Sequence, residues 1–458
     1  MAQEVLPVRP ITPLILALSA TLTLGMLTGC GKGSGGDKDT LEVAFHKETD
    51  NDVTWRDDYI KDIAAKFEKA HPGKNVKLVP IQSSGNDYYT KIQQMMRSPK
   101  TAPDLVYEDT FLINSDIKSG YLLPLDTYLK DWKDWAVFDD SAKAAARGED
   151  GKTYGVPDGT DTRGLWYNKK LFAKAGLPAK WTPRSWDDVL KAARTLKREV
   201  PGVIPLNVFT GKGAGEAAAM QGFEMLLYGT RDPLYDKKSK KWVTGSKGFR
   251  DSLEFVDTVY SEKLGPEVSD ALSPNIQTRV ATELLPEGKL AIALDGSWLS
   301  QQWIKTGGNP WPEWPQTMGR APMPTQQGQA PGKVSMSGGW TWSIPQKSDN
   351  HDLAWKMIET FQTRENAADF CVRGAQIAVR SDVAKDPAYL ESMPGIDFFT
   401  DLVEVSEYRP TLPVYPQVSA ALVDSMETVT TGDSSPAEAA EAYDEQVKSI
   451  ADGAVTRP

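Results

Sequence analysis

The chain has 458 residues, 40% hydrophobic and 25% charged, with 37 Gly, 31 Pro and 14 Trp. That composition fills sizeable cores over a length suited to two or three domains, and it excludes a disordered or fibrous chain. Acidic side chains outnumber basic ones, 62 to 52, and the net charge of −10 removes the phosphate attraction on which nucleic-acid binding depends; nucleic acid is excluded as a partner.

The first long uncharged stretch runs from Ile11 to Leu27 behind Arg9. At about seventeen residues, rich in Ser and Thr, it is short for a membrane span and reads as the apolar core of a signal peptide. It ends at Leu27-Thr28-Gly29-Cys30, which resembles the bacterial lipobox, where a Cys behind small residues is acylated and becomes the new first residue. The alternative is a plain thiol in a membrane-spanning helix. Gly31-Lys32-Gly33-Ser34-Gly35-Gly36 follows as a flexible tether. Residues 1–29 are therefore expected to be a signal peptide, with 30–40 the lipidated Cys30 and tether. Cys371 is then the one remaining thiol, and no internal disulfide is expected.

From Leu41 the pattern alternates strand-like and helix-like runs. Leu41–Phe45 reads as a strand; Tyr59, Ile60, Ile63, Ala64, Phe67 and Ala70 recur at helical spacing until Pro72-Gly73; Val76–Ile81 is the next strand. A helix over about 87–97 and a strand at Asp104–Tyr107 follow. Ser185 with Asp188 opens a helix to about Val200 in capping-box fashion, and Ile204–Phe209 is a strand. Lys289–Leu294 then reads as a strand and Ser297–Lys305 as a helix, while Ala437, Ala440, Tyr443, Val447 and Ile450 mark a terminal helix. Seven prolines between Gly307 and Pro345 predict an ordered loop whose Trp311, Trp314, Trp340 and Trp342 pack down or line a pocket. The grammar predicts α/β layers on mostly parallel sheets.

Several short motifs, in order, resemble those of family 1 extracellular solute-binding proteins, whose best-known members bind maltose and other oligosaccharides for ABC importers. They are Ala102-Pro103-Asp104-Leu105, Tyr154-Gly155-Val156-Pro157, Leu165-Trp166-Tyr167-Asn168-Lys169, Trp186-Asp187-Asp188, Gly288-Lys289-Leu290-Ala291 with Asp295-Gly296-Ser297-Trp298, and Ala354-Trp355-Lys356. The resemblance implies a two-lobed periplasmic-binding-protein fold with the ligand cleft between lobes. Lobe 1 would comprise 41–158 plus about 342–395, and lobe 2 about 160–337 plus about 396–458. Hinge strands would cross near Asp158–Asp161 and Gly338–Ile344. It also implies a monomeric, non-enzymatic receptor on the outer face of the cytoplasmic membrane, held by the lipid on Cys30, closing on an oligosaccharide and delivering it to ABC permease subunits.

A sugar needs flat rings for its C–H faces and carboxylate, amide or guanidinium groups for its hydroxyls. The resemblance places Trp298 as a stacking ring and Asp161 as an acidic contact, with Arg163 beside it; the alternative is that Asp161 and Arg163 pair with each other. Glu108 and Asp109 sit at the carboxyl end of a strand, where open α/β sheets place ligands, and Glu48 follows the first strand in the same way. Capping of the next helix is the alternative for Asp109 and Glu48. Trp340 on the second hinge strand offers another ring or core packing. Tyr415 resembles a loop residue closing over the sugar's end, with Arg409 nearby, and Asn86 opens the second helix as ligand amide or cap. Trp186, Trp303 and Trp355 lie in helical context and are expected in the core.

Two other readings keep some of these residues. A secreted glycoside hydrolase would need two carboxyl groups held across a bond, and the sequence fixes no such pair. The same fold binding a polyamine, metal or phosphate ester is the other. His46, His71 and His351 lack metal-ligand spacing and Gly211–Gly215 lacks the phosphate-loop ending, so neither metal nor cofactor is expected.

Overall fold

The alternating run at Leu41 becomes the strand Thr40–Lys47, whose Leu41, Val43, Ala44 and Phe45 are all buried because both faces of its sheet are covered. The computed structural model describes residues 38–48, 53–83, 85–305 and 307–458. The signal segment, Cys30 and the side chain of Asn86 lie outside the described residues.

The helical spacing before Pro72 yields the helix Trp55–Ala70, and Tyr59, Ile60, Ile63, Ala64 and Phe67 are its buried stripe. That stripe packs on the helices His351–Phe361 and Arg364–Gly374. The first sheet runs in the order Asn75–Gln82, Thr40–Lys47, Leu105–Asp109, Trp340–Ser343, Val156–Pro157. The first three strands are parallel, and Trp340–Ser343 is antiparallel to both its neighbours. The second sheet runs Met318–Ala321, Arg163–Asn168, Leu290–Gly296, Ile204–Asn207, and only its last pair is parallel. The sheets are thus mixed rather than mostly parallel: Arg163–Asn168 and Trp340–Ser343 arrive straight from the other lobe, without the crossover helix that turns a chain into a parallel neighbour.

The helix Trp186–Glu199 starts as its sequence predicts, with the Ser185 hydroxyl accepting from the Asp188 amide. The expected helix after Ser297 is only a 3₁₀ turn, Ser297–Gln302. The expected loop over 307–345 also differs. It holds a short helix, Trp314–Thr317, and the strands Met318–Ala321, Met323–Pro324, Lys333–Ser337 and Trp340–Ser343. Its prolines fall where no amide donor is needed: Pro315 in the first turn of the helix, Pro322 between strands, Pro324 on the edge strand of a three-stranded sheet. Trp303 and Trp314 are buried against Trp166, their ring centroids 5.4 and 6.1 Å away. Trp186 and Trp355 are likewise buried. The helices Tyr415–Thr431 and Pro436–Ile450 pack together and on Lys247–Ser261.

The architecture is α/β with two lobes, and two segments run side by side between the sheets. The Thr160 hydroxyl donates to the Gly338 carbonyl (2.8 Å), and the Gly338 amide donates to Asp161 Oδ1 (2.9 Å). Gly339 has φ +140°, and a Cβ there would lie 2.6 Å from the Gly159 carbonyl oxygen, so only glycine fits this crossing. Among the described residues no helix is long and apolar enough to cross a membrane.

Candidate functional site

The carboxyl end of Leu105–Asp109 and the start of Trp340–Ser343 pair as Asp109 with Trp340, which places both at the edge of the first lobe facing the second. Trp340 is half-buried and nearly parallel to Tyr107, with centroids 4.9 Å apart; His46, Tyr88 and Tyr89 surround it. Asp109 accepts from Tyr89 Oη (2.6 Å), from the Phe111 amide (2.8 Å) and from Arg409 Nη2 (3.0 Å). The bond from the Phe111 amide closes a turn and does not cap the next helix, Ile113–Lys118, whose N-terminus takes no side-chain cap, so the capping alternative for Asp109 does not hold.

Arg409 lies just past the strand Ser406–Tyr408 that pairs with Lys333–Ser337. It also donates to Thr110 Oγ1 (3.0 Å), approaches Glu216 Oε1 (3.4 Å) and lies over the Phe111 ring at 5.3 Å. Burial opposes its charge, but Asp109 and Glu216 outweigh burial and raise its pKa. Behind it the Tyr415 hydroxyl lies 3.0 Å from a carboxyl oxygen of Glu216 and of Glu224, its one proton shared between them, and Ser419 donates to Glu216 (2.6 Å). Burial pushes the Glu216 carboxyl up, with Arg409 pulling it back, and pushes Glu224, wholly buried, up to about 8. Tyr415 is not on a covering loop. It begins the helix Tyr415–Thr431, started by Pro416, and is buried.

On the other side of the crossing, Asp161 and Arg163 form an ion pair with each other, as the alternative for them held, but largely buried rather than on the surface. Arg163 also donates to the Met336 carbonyl (3.1 Å), and its guanidinium stands 4.7 Å from the Trp298 ring centroid. Trp298 is half-buried and lies against Gly296, where a Cβ would come within 2.0 Å of the ring, which is why the motif needs glycine there.

Three candidates remain, Glu108, Glu48 and Asn86, and of these Glu48 lies 3.8 Å from His46 beside Trp340. Glu108 is a correction: strand alternation turns it to the face opposite Tyr107, where it is wholly buried beside Asp116, its carboxyl pushed well above the usual range by burial and Asp116's up to about 6. Glu48 is tied to Arg56 at 3.3 Å at the end of its strand. The side chain of Asn86 is outside the described residues.

The structure thus brings Asp109, Arg409, Trp340, Asp161, Arg163, Trp298 and Tyr415 to the junction of the lobes. Sequence reasoning missed Glu216, Glu224, Tyr89 and Phe111. Glu224 ends the π-helical turn Ala218–Glu224 and Glu216 stands just before it, a spacing no α or β template reads. The junction combines exposed ring edges with carboxylates, guanidinium groups and a phenol whose bonds to one another a polyhydroxylated molecule could replace.

Residues 53–368 match the family model described as bacterial extracellular solute-binding protein. The chain belongs to that family. It is 23% identical over 443 residues to the galactooligosaccharide-binding protein of Bacillus subtilis, covering 95% of this chain and 96% of that protein. The melibiose/raffinose/stachyose-binding protein MelE of the same organism is 29% identical over 293 residues, 62% of this chain and 63% of MelE. An ABC transporter solute-binding protein from Thermotoga lettingae, solved bound with α-D-tagatose, superposes with a TM-score of 0.76 at 23% identity, over 90% of this chain and 99% of that one. The fold is that of these two-lobed binding proteins, and the role is binding a substrate.

Proposed function

We propose that this protein is the sugar receptor of an ABC importer: it captures an oligosaccharide between its lobes and hands it to the permease subunits, tethered to the outer face of the cytoplasmic membrane by a lipid on Cys30. The observation that carries the reading is the half-buried pair Trp298 and Trp340, each next to buried ion pairs, Asp161–Arg163 and Asp109–Arg409, at the lobe junction. Aromatic rings take the C–H face of a pyranose, and the charged groups exchange their mutual bonds for its hydroxyls. Arg409 donates to Asp109 at this junction, so a ligand entering it would compete for that bond. In this reading lobe 1 comprises 41–158 with about 342–395, and lobe 2 about 160–337 with about 396–458.

A thermal-shift screen of the purified protein against melibiose, raffinose, stachyose, galacto-oligosaccharides and malto-oligosaccharides tests this. At about a hundred times its dissociation constant, a true ligand stabilises by roughly 2.7 kcal/mol, a shift of a few degrees. No shift with any saccharide, together with a shift from a polyamine or phosphate ester, overturns the sugar reading and leaves the fold intact.

A further inference from the structure

The lobe junction holds more acid than its own cations answer. Asp109, Asp161, Glu216, Glu224 and Asp295 are buried or nearly so. Asp109 and Glu216 share Arg409, and Asp161 takes Arg163. Glu224 and Asp295 are left with no ion-pair partner among the described residues. Asp295, at the carboxyl end of the strand Leu290–Gly296, accepts from the Gly296 amide (2.7 Å).

Glu224 stands between the two ion pairs, because the charges of Arg409 and Arg163 both reach it. Its Oε1 is 3.0 Å from the Tyr415 hydroxyl, and its Oε2, wholly buried, has no hydrogen-bond partner among the described residues. Burial, with Glu216 beside it, pushes the Glu224 carboxyl up to about 8, and burial pushes that of Asp295 to about 7, so the junction keeps protons where it is short of positive charge. Two hydroxyls flank the same place. Ser337 precedes Gly338, whose amide bonds Asp161, and the Ser297 amide donates to the Thr162 carbonyl (2.9 Å). Both serines are wholly buried, and neither Oγ has a partner among the described residues.

We propose that the ligand is a basic saccharide: an amino-bearing oligosaccharide whose ammonium group pairs with Glu224 between the two ion pairs, while its hydroxyls meet Ser297 and Ser337. This rests on the sugar-receptor reading above and names the class of sugar. An ammonium brings three donors and the missing positive charge in one group, whereas a hydroxyl brings one donor and no charge. A neutral sugar leaves the excess of acid as it is, and a phosphorylated or carboxylated one adds to it. A linear polyamine supplies charge, but no flat C–H face for Trp298 and Trp340 and no acceptor for the serine protons.

Calorimetric titration with three matched sets tests the proposal: cellotriose beside the glucosamine trisaccharide of the same linkage, and maltotriose and raffinose each beside its derivative with a primary amine on every ring. Each set includes the amine in acetylated form, which keeps the bulk and removes the charge. Salt of about 0.15 M limits general attraction of cations to a chain of net charge −10. In at least one set the ammonium form is expected to bind wild type at least about tenfold more tightly than both neutral forms, the effect of one charge-assisted bond. Glu224→Gln, which keeps the shape, is expected to reduce that preference below about threefold, and Glu224→Asp, which keeps the charge, to retain more than that; the pair separates charge from a folding defect. Neutral forms binding as tightly as the ammonium form in every set that binds, or a preference that survives Glu224→Gln in full, overturn the basic-saccharide proposal and leave the receptor reading standing. Wild type binding no saccharide, charged or neutral, or binding only spermidine, overturns the receptor reading and the proposal with it.

Discussion

Replacing Glu224 with Gln isolates the electrostatic cost stored at the lobe junction. The side chain is wholly buried on the π-helical turn, accepts one bond from Tyr415 Oη and has its carboxyl pushed from 4.5 up to about 8 by burial and the nearby charge of Glu216. A carboxyl whose folded pKa lies above its unfolded one binds more protons when folded, so its stabilising contribution is complete below 4.5 and is lost as pH rises towards 8. At about 1.36 kcal/mol per pH unit, the full loss is about 5 kcal/mol, of which about 3 is already felt at pH 7. Glu224→Gln keeps the shape and the bond from Tyr415 and removes the titration. Urea unfolding is therefore expected to give nearly equal stabilities for the two proteins near pH 4.5, with the variant ahead by about 2–4 kcal/mol at pH 7.5. A difference that does not change with pH, or a variant less stable at pH 7.5, would refute the reasoning.

Two further outcomes follow from the packing. Gly222→Ala places a Cβ 2.0 Å from the Phe209 carbonyl oxygen; backbone has to move, and urea unfolding should show a loss of about 2 kcal/mol or more, whereas a loss under about 0.5 contradicts the close approach. Cys371 is buried and burial raises its thiol pKa far above the ordinary value; a thiol reagent such as DTNB should label it only after denaturant is added, and rapid labelling of the native protein contradicts its placement.

Elements whose signal is local were legible from the sequence. The stripe Tyr59, Ile60, Ile63, Ala64 and Phe67, the Ser185 cap and the strand around Leu41 each depend on spacing within a few residues, and each formed as spacing predicts. Strand direction depends on where the chain returns from, which spacing does not encode, and so the antiparallel entries of Arg163–Asn168 and Trp340–Ser343 were not visible. Proline density alone reads as loop over 307–345, but Pro315 and Pro324 occupy positions that need no amide donor and so leave room for a helix and strands.

The site divides in the same way. Trp298, Asp161 and Arg163 stand in or beside short motifs, and the structure gathers them into one cluster in which Asp161 and Arg163 face each other. Glu108 was misplaced because strand alternation gives two faces and the sequence does not say which one meets the other lobe. Glu216, Glu224, Tyr89 and Phe111 carry no local pattern. Apart from the local bond of the Phe111 amide to Asp109, they meet Asp109, Arg409 and Tyr415 through the tertiary fold, as in the contact of Phe111 with Tyr415 some three hundred residues on.

The most direct test of the sugar-receptor account is calorimetric titration of wild type and Trp298→Ala with the saccharide that gives the largest thermal shift. The account predicts wild-type binding near micromolar, about 8 kcal/mol, and at least tenfold weaker binding, about 1.4 kcal/mol or more, once the ring beside Arg163 is gone. Equal affinity in the two proteins, or release of new reducing ends from the saccharide during the titration, would contradict it.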